Sequence, residues 1–144
     1  MTMTQDNKQL ARDHFNRINS GDFAGAAAHL AEDSVNHAAI PEAQGRRGFE
    51  LILNKVKGAF PDMKYSLDDI FAEGDRVAVR VTCTGTQRGP MTFTRLQMEP
   101  TGKPVKFEQL HVLRIANGKI VEHWMCQDSL AMFRQLGLQV VPSA

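Results

Sequence analysis

Along the first third of the chain, apolar residues recur at helical spacing; along most of the rest they alternate as in strands. From Thr4 to Asn19 the apolar positions Leu10, Ala11, Phe15 and Ile18 form the stripe of an amphipathic helix. Ser20-Gly21-Asp22 stops it, and Asp22 can cap a second helix through Phe23, Ala26, Ala27 and Leu30. A short extended piece, Ser34 to His37, leads to Pro41, Gly45 and Gly48. A third helix then carries Phe49, Ile52, Leu53, Val56 and Phe60 on one side and ends at Pro61. Met63 to Ala72 reads as a strand, Glu73-Gly74-Asp75 as a turn, and Arg76 to Gly85 as its return. In that return Val77, Val79, Val81 and Cys83 alternate with Ala78, Arg80, Thr82 and Thr84, so one face is buried and the other wet. After an irregular stretch through Gly89-Pro90 and Pro100-Thr101-Gly102, a long strand runs from Val105 to Ala116. Asn117-Gly118 turns it into Lys119 to Gln127, and a last helix spans Ser129 to Leu136 and closes at Gly137.

Helices gathered first and antiparallel strands gathered later predict an α+β domain in which helices cover one face of a curved sheet. Such a sheet closes part-way and leaves a concave mouth for a ligand. The 144 residues suit one domain, 1–144, with enough length to bury a core unaided. Seventeen Lys and Arg are scattered among sixteen Asp and Glu, which argues against nucleic acid as a partner. Cys83 and Cys126 have no metal-type spacing. The polar start, Met1 to Leu10, lacks a signal-peptide core, and no apolar run of about 18 residues would cross a membrane. The expectation is a cytoplasmic protein.

The long strand holds the informative anomaly. Its odd positions, Val105, Phe107, Gln109, His111, Leu113 and Ile115, form the more apolar and therefore inward face, yet an amide and an imidazole sit in its middle. Burying either costs about 1–3 kcal/mol unless it finds partners. The two readings are a hydrogen-bonded core pair and the polar floor of a mostly apolar pocket. The hairpin register decides what faces them. A two-residue Asn117-Gly118 loop places His111 opposite Trp124. A three-residue loop, with Gly118 in a bulge, places His111 opposite His123 and Gln109 opposite Met125. Asn-Gly suits both.

The strings Glu108-Gln109-Leu110-His111-Val112-Leu113, Asn117-Gly118-Lys119-Ile120-Val121-Glu122-His123-Trp124 and Phe133-Arg134-Gln135-Leu136-Gly137 resemble the C-terminal half of SnoaL-like polyketide cyclases. Ala59-Phe60-Pro61-Asp62, Glu73-Gly74-Asp75-Arg76-Val77 and Pro100-Thr101-Gly102 fit the same family, so the likeness runs from about Leu10 to Gly137. The resemblance implies a nuclear-transport-factor-2-like fold: a cone-shaped half-open barrel of mostly antiparallel sheet, three N-terminal helices and a short C-terminal one. It also implies dimerisation through the sheet, here burying Leu110, Val112 and Trp124 on the outer face. Family cyclases close a ring by intramolecular aldol chemistry without metal or cofactor, a base removing a proton beside two carbonyls while donors steady the enolate.

Family pocket residues match Asn36, Gln109, His111 and His123. The family's principal acid/base, an aspartate two residues after the last histidine, is Met125 here, and a thioether accepts no proton at neutral pH. Substitute candidates are His111 and His123, whose imidazoles ordinarily titrate near 6.5. Asp128 matches a family aspartate and, preceding Ser129, is also a helix N-cap candidate. Substrate contacts are expected from Asn36, Gln109 and Met125, while His37, before a loop, has two readings, a substrate contact at the pocket mouth or a side chain in solvent. His14 and His29 read as structural residues in helices. The expectations are therefore a cofactor-independent cyclase, isomerase or lyase on a hydrophobic, carbonyl-rich substrate, or a non-catalytic binding protein with the same pocket. Epoxide hydrolysis through an Asp-Arg-Asp set ranks last, because no inward strand alternates those residues.

Overall fold

A computed structural model describes residues 2–92, 97–139 and 141–143. Helix α1, Met3–Asn19, begins at a capping box in which Thr2 and Gln5 bond each other's backbone. Its buried stripe is Asn7, Ala11, His14, Phe15 and Ile18, so two polar residues share the apolar face. Asp22 caps α2, Phe23–Ala27, as expected. That helix is shorter than its pattern suggests. Leu30 opens strand β1, Leu30–Asn36, and His29 lies in the intervening turn and not in a helix. A 3-10 turn, Pro41–Ala43, leads into α3, Gly45–Ala59, where Gly45 adopts φ +69° and packs against β1. A side chain at Gly45 would put its Cβ 2.6 Å from the Glu32 carbonyl oxygen, so glycine permits this approach.

Strands β2 (Lys64–Glu73), β3 (Arg76–Thr86), β4 (Pro104–Ala116) and β5 (Lys119–Gln127) follow, then α4, Ser129–Gln135. The sheet order is β1-β5-β4-β3-β2. The β1–β5 pair is parallel and the other three are antiparallel. Irregularities in the β1, β2 and β5 pairings break the ladder and strengthen the local bend. The alternation read in β3 holds: Val77, Val79, Val81 and Cys83 are buried among Phe15, Ile18, Leu53, Phe60, Leu113, Ile115 and Ile120. This α+β architecture, helices over the inner face of a curved, unclosed sheet, is the one expected. Among the described residues no helix is long and apolar enough to cross a membrane.

Candidate active site

The inner face of β4 contains Gln109 and His111 at 8% and 7% exposure, flanked by buried Phe107 and Leu113. The hairpin that brings β5 to them follows neither expected register. Asn117 and Gly118, at φ 51° and 71°, form a two-residue turn that pairs Ala116 with Lys119 and Ile115 with Ile120. Val121 is then an extra residue, and Arg114 pairs with Glu122. The bulge shifts the remaining pairing by one, so that Met125 faces His111 and Leu113 faces His123. His123 nonetheless stays on the inner face and reaches His111 diagonally. The Nε2 of His123 stands 2.7 Å from Nδ1 of His111, with ring centroids 5.0 Å apart and planes 13° from parallel.

The hydrogen bonds of this cluster share one direction. Gln127 Nε2 donates to Ser129 Oγ (3.0 Å), and Gln109 Nε2 donates to Gln127 Oε1 (3.0 Å). Gln109 Oε1 lies 2.8 Å from His111 Nε2 and accepts its proton. Burial, reinforced by His123 and His14, pushes the His111 pKa well below its ordinary value, so the ring is neutral and its Nδ1 is an acceptor. The proton between the rings therefore belongs to His123 Nε2, which leaves a lone pair on His123 Nδ1. Burial, and secondarily His37, lowers His123 to about 4. No described residue bonds that Nδ1, and among the described residues no buried side-chain nitrogen or oxygen is without a partner, so the atom is one that retains some exposure.

A small cavity of about 10 Å³ is lined by His14, Ser34, Asn36, Phe49 and His123 among others. Asn36 is held by its backbone: Gln44 accepts from its N–H (2.7 Å) and donates to its carbonyl (2.8 Å). Its Oδ1 accepts from Ala38, leaving the amide nitrogen to donate elsewhere. His14 stacks on Phe49, and burial, with His29 and His123 adding to it, lowers the ring to about 3. A larger cavity of about 150 Å³ lies beside Ile18, Leu53, Val56, Phe60 and Tyr65, with Lys57 among its lining. Phe15 packs against both Tyr65 (6.3 Å between centroids) and His111 (5.2 Å). Its wall is mixed, with Asn19, Ser20 and Lys57 beside the apolar residues, whereas the smaller space holds the imidazoles.

Of the residues singled out in the sequence, Gln109, His111, His123 and Asn36 come together, and Met125 stands beside them. Two do not. His37 lies on the opposite face of the sheet, stacked on Trp124 (4.9 Å, 9°) with Nε2 2.6 Å from Glu122. An imidazole one residue beyond Asn36 emerges on the other side of the pleat. Asp128 is exposed and caps α4 by accepting from the Ala131 N–H at 3.0 Å. Replacing it with alanine is expected to cost about 1 kcal/mol of stability, with turnover per folded molecule retained. Thermal denaturation beside a rate measurement checks both. The sequence reading missed Gln127, which shares the alternation of His123 and Met125, and His14, which shares the helical stripe of Ala11 and Ile18.

Residues 8–136 match the profile of the SnoaL-like polyketide cyclase family. The chain belongs to that family. Aklanonic acid methyl ester cyclase DauD of Streptomyces sp. (strain C5) is 29% identical over 133 residues, which cover 89% of this chain and 80% of DauD. Among solved structures, AclR of Streptomyces galilaeus superposes with a TM-score of 0.80 at 29% identity, covering 96% of this chain and 86% of AclR. TsrD of Streptomyces laurentii has the same fold, with a TM-score of 0.83 at 24% identity and coverage of 95% and 98%. The SnoaL-like fold here thus surrounds a neutral, unidirectional hydrogen-bond chain. Among the residues whose side chains are described, no carboxylate is buried beside it.

Proposed function

We propose that this SnoaL-like protein is a cofactor-independent enzyme that moves a proton on a hydrophobic, polyketide-like substrate, with His123 as the base. The supporting observation is the free lone pair on His123 Nδ1 at the end of the His123–His111–Gln109 chain. A substrate C–H bond flanked by carbonyls breaks, its proton goes to His123 Nδ1, and the electron pair becomes an enolate. The positive charge spreads as the His123 Nε2 proton shifts toward His111 Nδ1, while the Gln109 carbonyl accepts from the far side of that ring. Asn36, with a free amide donor in the same cavity, steadies the enolate oxygen. The enolate carbon then attacks a second carbonyl, a C–C bond forms, and the resulting alkoxide takes the proton back. Atoms balance, so the net reaction is an isomerisation that closes a ring.

Met125, opposite His111, is the position where the family resemblance places an aspartate. A thioether there keeps the imidazole pair free of a carboxylate, so the basic role falls to His123. The substrate's body is larger than the small cavity beside His123 and needs the space of about 150 Å³ beside Tyr65, from which Phe15 separates His111. The test uses aklanonic acid methyl ester, the compound named for DauD, as probe. Incubation should convert it to a ring-closed isomer of unchanged mass, and His123→Ala should abolish that conversion. Tight binding without ring closure would instead favour the non-catalytic pocket that the loss of the aspartate permits.

The outer face of the sheet supports a homodimer. Phe71 and Leu110 are 65% and 57% exposed there, in line with Val112 and Trp124. Sedimentation at micromolar protein is expected to give twice the chain mass, and a 16.0 kDa particle would contradict the dimer.

A further inference from the structure

The mechanism above uses His123 and His111 and leaves two further histidines unexplained. His29, half-buried in the turn after α2, has its Nδ1 3.3 Å from Nδ1 of His14 on α1. His14 is 4% exposed and lines the small cavity together with His123, Ser34 and Asn36. That cavity, at about 10 Å³, has room for roughly one water and offers it several polar neighbours. On the far side, His123 contacts His111 at 2.7 Å. Four imidazoles thus run from the surface to the floor of the site: His29 and His14 in contact, His123 and His111 in contact, and the small cavity lined by both His14 and His123. Phe15, edge-on to His111, and Phe49, stacked on His14, pack against this line.

We infer that His29 and His14, joined to His123 through one water, form the proton path between solvent and the buried imidazole pair. It rests on the reading of His123 as the base and adds how that base exchanges its proton. In the inward direction His29 takes a proton from solvent on Nε2 as it gives its Nδ1 proton to His14 Nδ1, and His14 gives up the proton on its other nitrogen, exchanging its bond to the Ala26 backbone for one to the water. The water passes a proton to His123 Nδ1. At each step one N–H or O–H bond breaks and one forms, so a single proton moves and nothing is oxidised. The reverse sequence discharges a proton taken from substrate. The charges near His29 are Arg17, Asp13, Lys119 and Asp22, of both signs, so the outer end of the path is not held by one strong ion pair.

The test needs no substrate. In 15N-labelled protein the ring N–H groups of His111 and His123 can be observed directly, and their exchange with water measured by solvent saturation transfer. His29→Gln and His14→Phe are expected to slow that exchange at least tenfold while backbone amide protection in β4 and β5 stays unchanged. A structural role gives the opposite sign, because loosened packing speeds exchange. Unchanged or faster exchange in His29→Gln overturns the path, and that surface variant decides the matter even where His14→Phe does not fold. Loss of turnover in His123→Ala with normal exchange in His29→Gln would keep the base and remove the path. Slowed exchange in a protein with no turnover would keep the path and remove the base.

Discussion

His123→Ala is expected to lower turnover by about 10²- to 10⁴-fold, the usual contribution of a positioned general base. The loss follows from geometry, because among residues with described side chains no carboxylate is buried beside the cluster to take over. His111→Ala should fall in the same range by a different route. Without its Nδ1 acceptor, the His123 ring loses the hydrogen bond that fixes its tautomer and aims its lone pair into the cavity. The pH profile separates this site from an exposed histidine base. An ordinary imidazole would lose activity as pH falls through about 6.5. Burial instead lowers His123 to about 4, so the rate per folded molecule should stay level from pH 8 to about 5 and decline only below that. Pre-steady-state rates taken before any unfolding provide the measurement. A decline centred near 6.5 would mean that the working base is not the buried His123. Turnover that survives loss of both His111 and His123 would remove the proton-transfer assignment.

The parts of the fold legible in the sequence are those set by local periodicity. The β3 alternation, the inward odd face of β4 and the caps at Asp22 and Asp128 all depend on residues within one element. The hairpin register was not legible, because it depends on Val121, a β-branched residue that any regular strand would accept and that nothing local marks as a bulge. The gathering of Gln109, His111 and His123 was legible all the same, since inward alternation on two adjacent strands brings them together in several registers. His14 was missed for a different reason. A histidine on an apolar helical face is compatible with ordinary core packing, and only the tertiary contact with His29 and the shared cavity with His123 distinguish it. His37 had two readings, pocket mouth or solvent, and what the sequence does not show is that the pleat one residue beyond Asn36 puts its ring on the outer face against Trp124.

Acidification from pH 7 to 5 is expected to remove about 4 kcal/mol of folding stability from His14 and His123 together, with His111 adding in the same direction. All three rings are neutral when folded, and their folded pKa values lie below the 6.5 of an unfolded chain. The unfolded state therefore binds protons first. The stability is fully present above 6.5 and drains as pH falls toward the folded values, about 4 for His123 and about 3 for His14. At pH 5 an unfolded histidine is almost fully protonated while each buried one is still almost fully neutral, a difference of about 2 kcal/mol per residue. Against a total of about 5–15 kcal/mol for a domain of ordinary stability, that is a large fraction. Asp62 and Glu122, whose pKa values are also lowered, do not confuse the measurement, because as unfolded carboxylates they titrate near 4. Urea unfolding at a series of pH values gives the slope directly. His14→Phe, which keeps an aromatic ring against Phe49, should reduce the slope between pH 6 and 5 by about 1.4 kcal/mol per pH unit, the loss of one titrating site. A stability that stays constant from pH 7 to 5 would show that these imidazoles bind protons as readily folded as unfolded, and the neutral hydrogen-bond chain ending at His123 would then be lost as well.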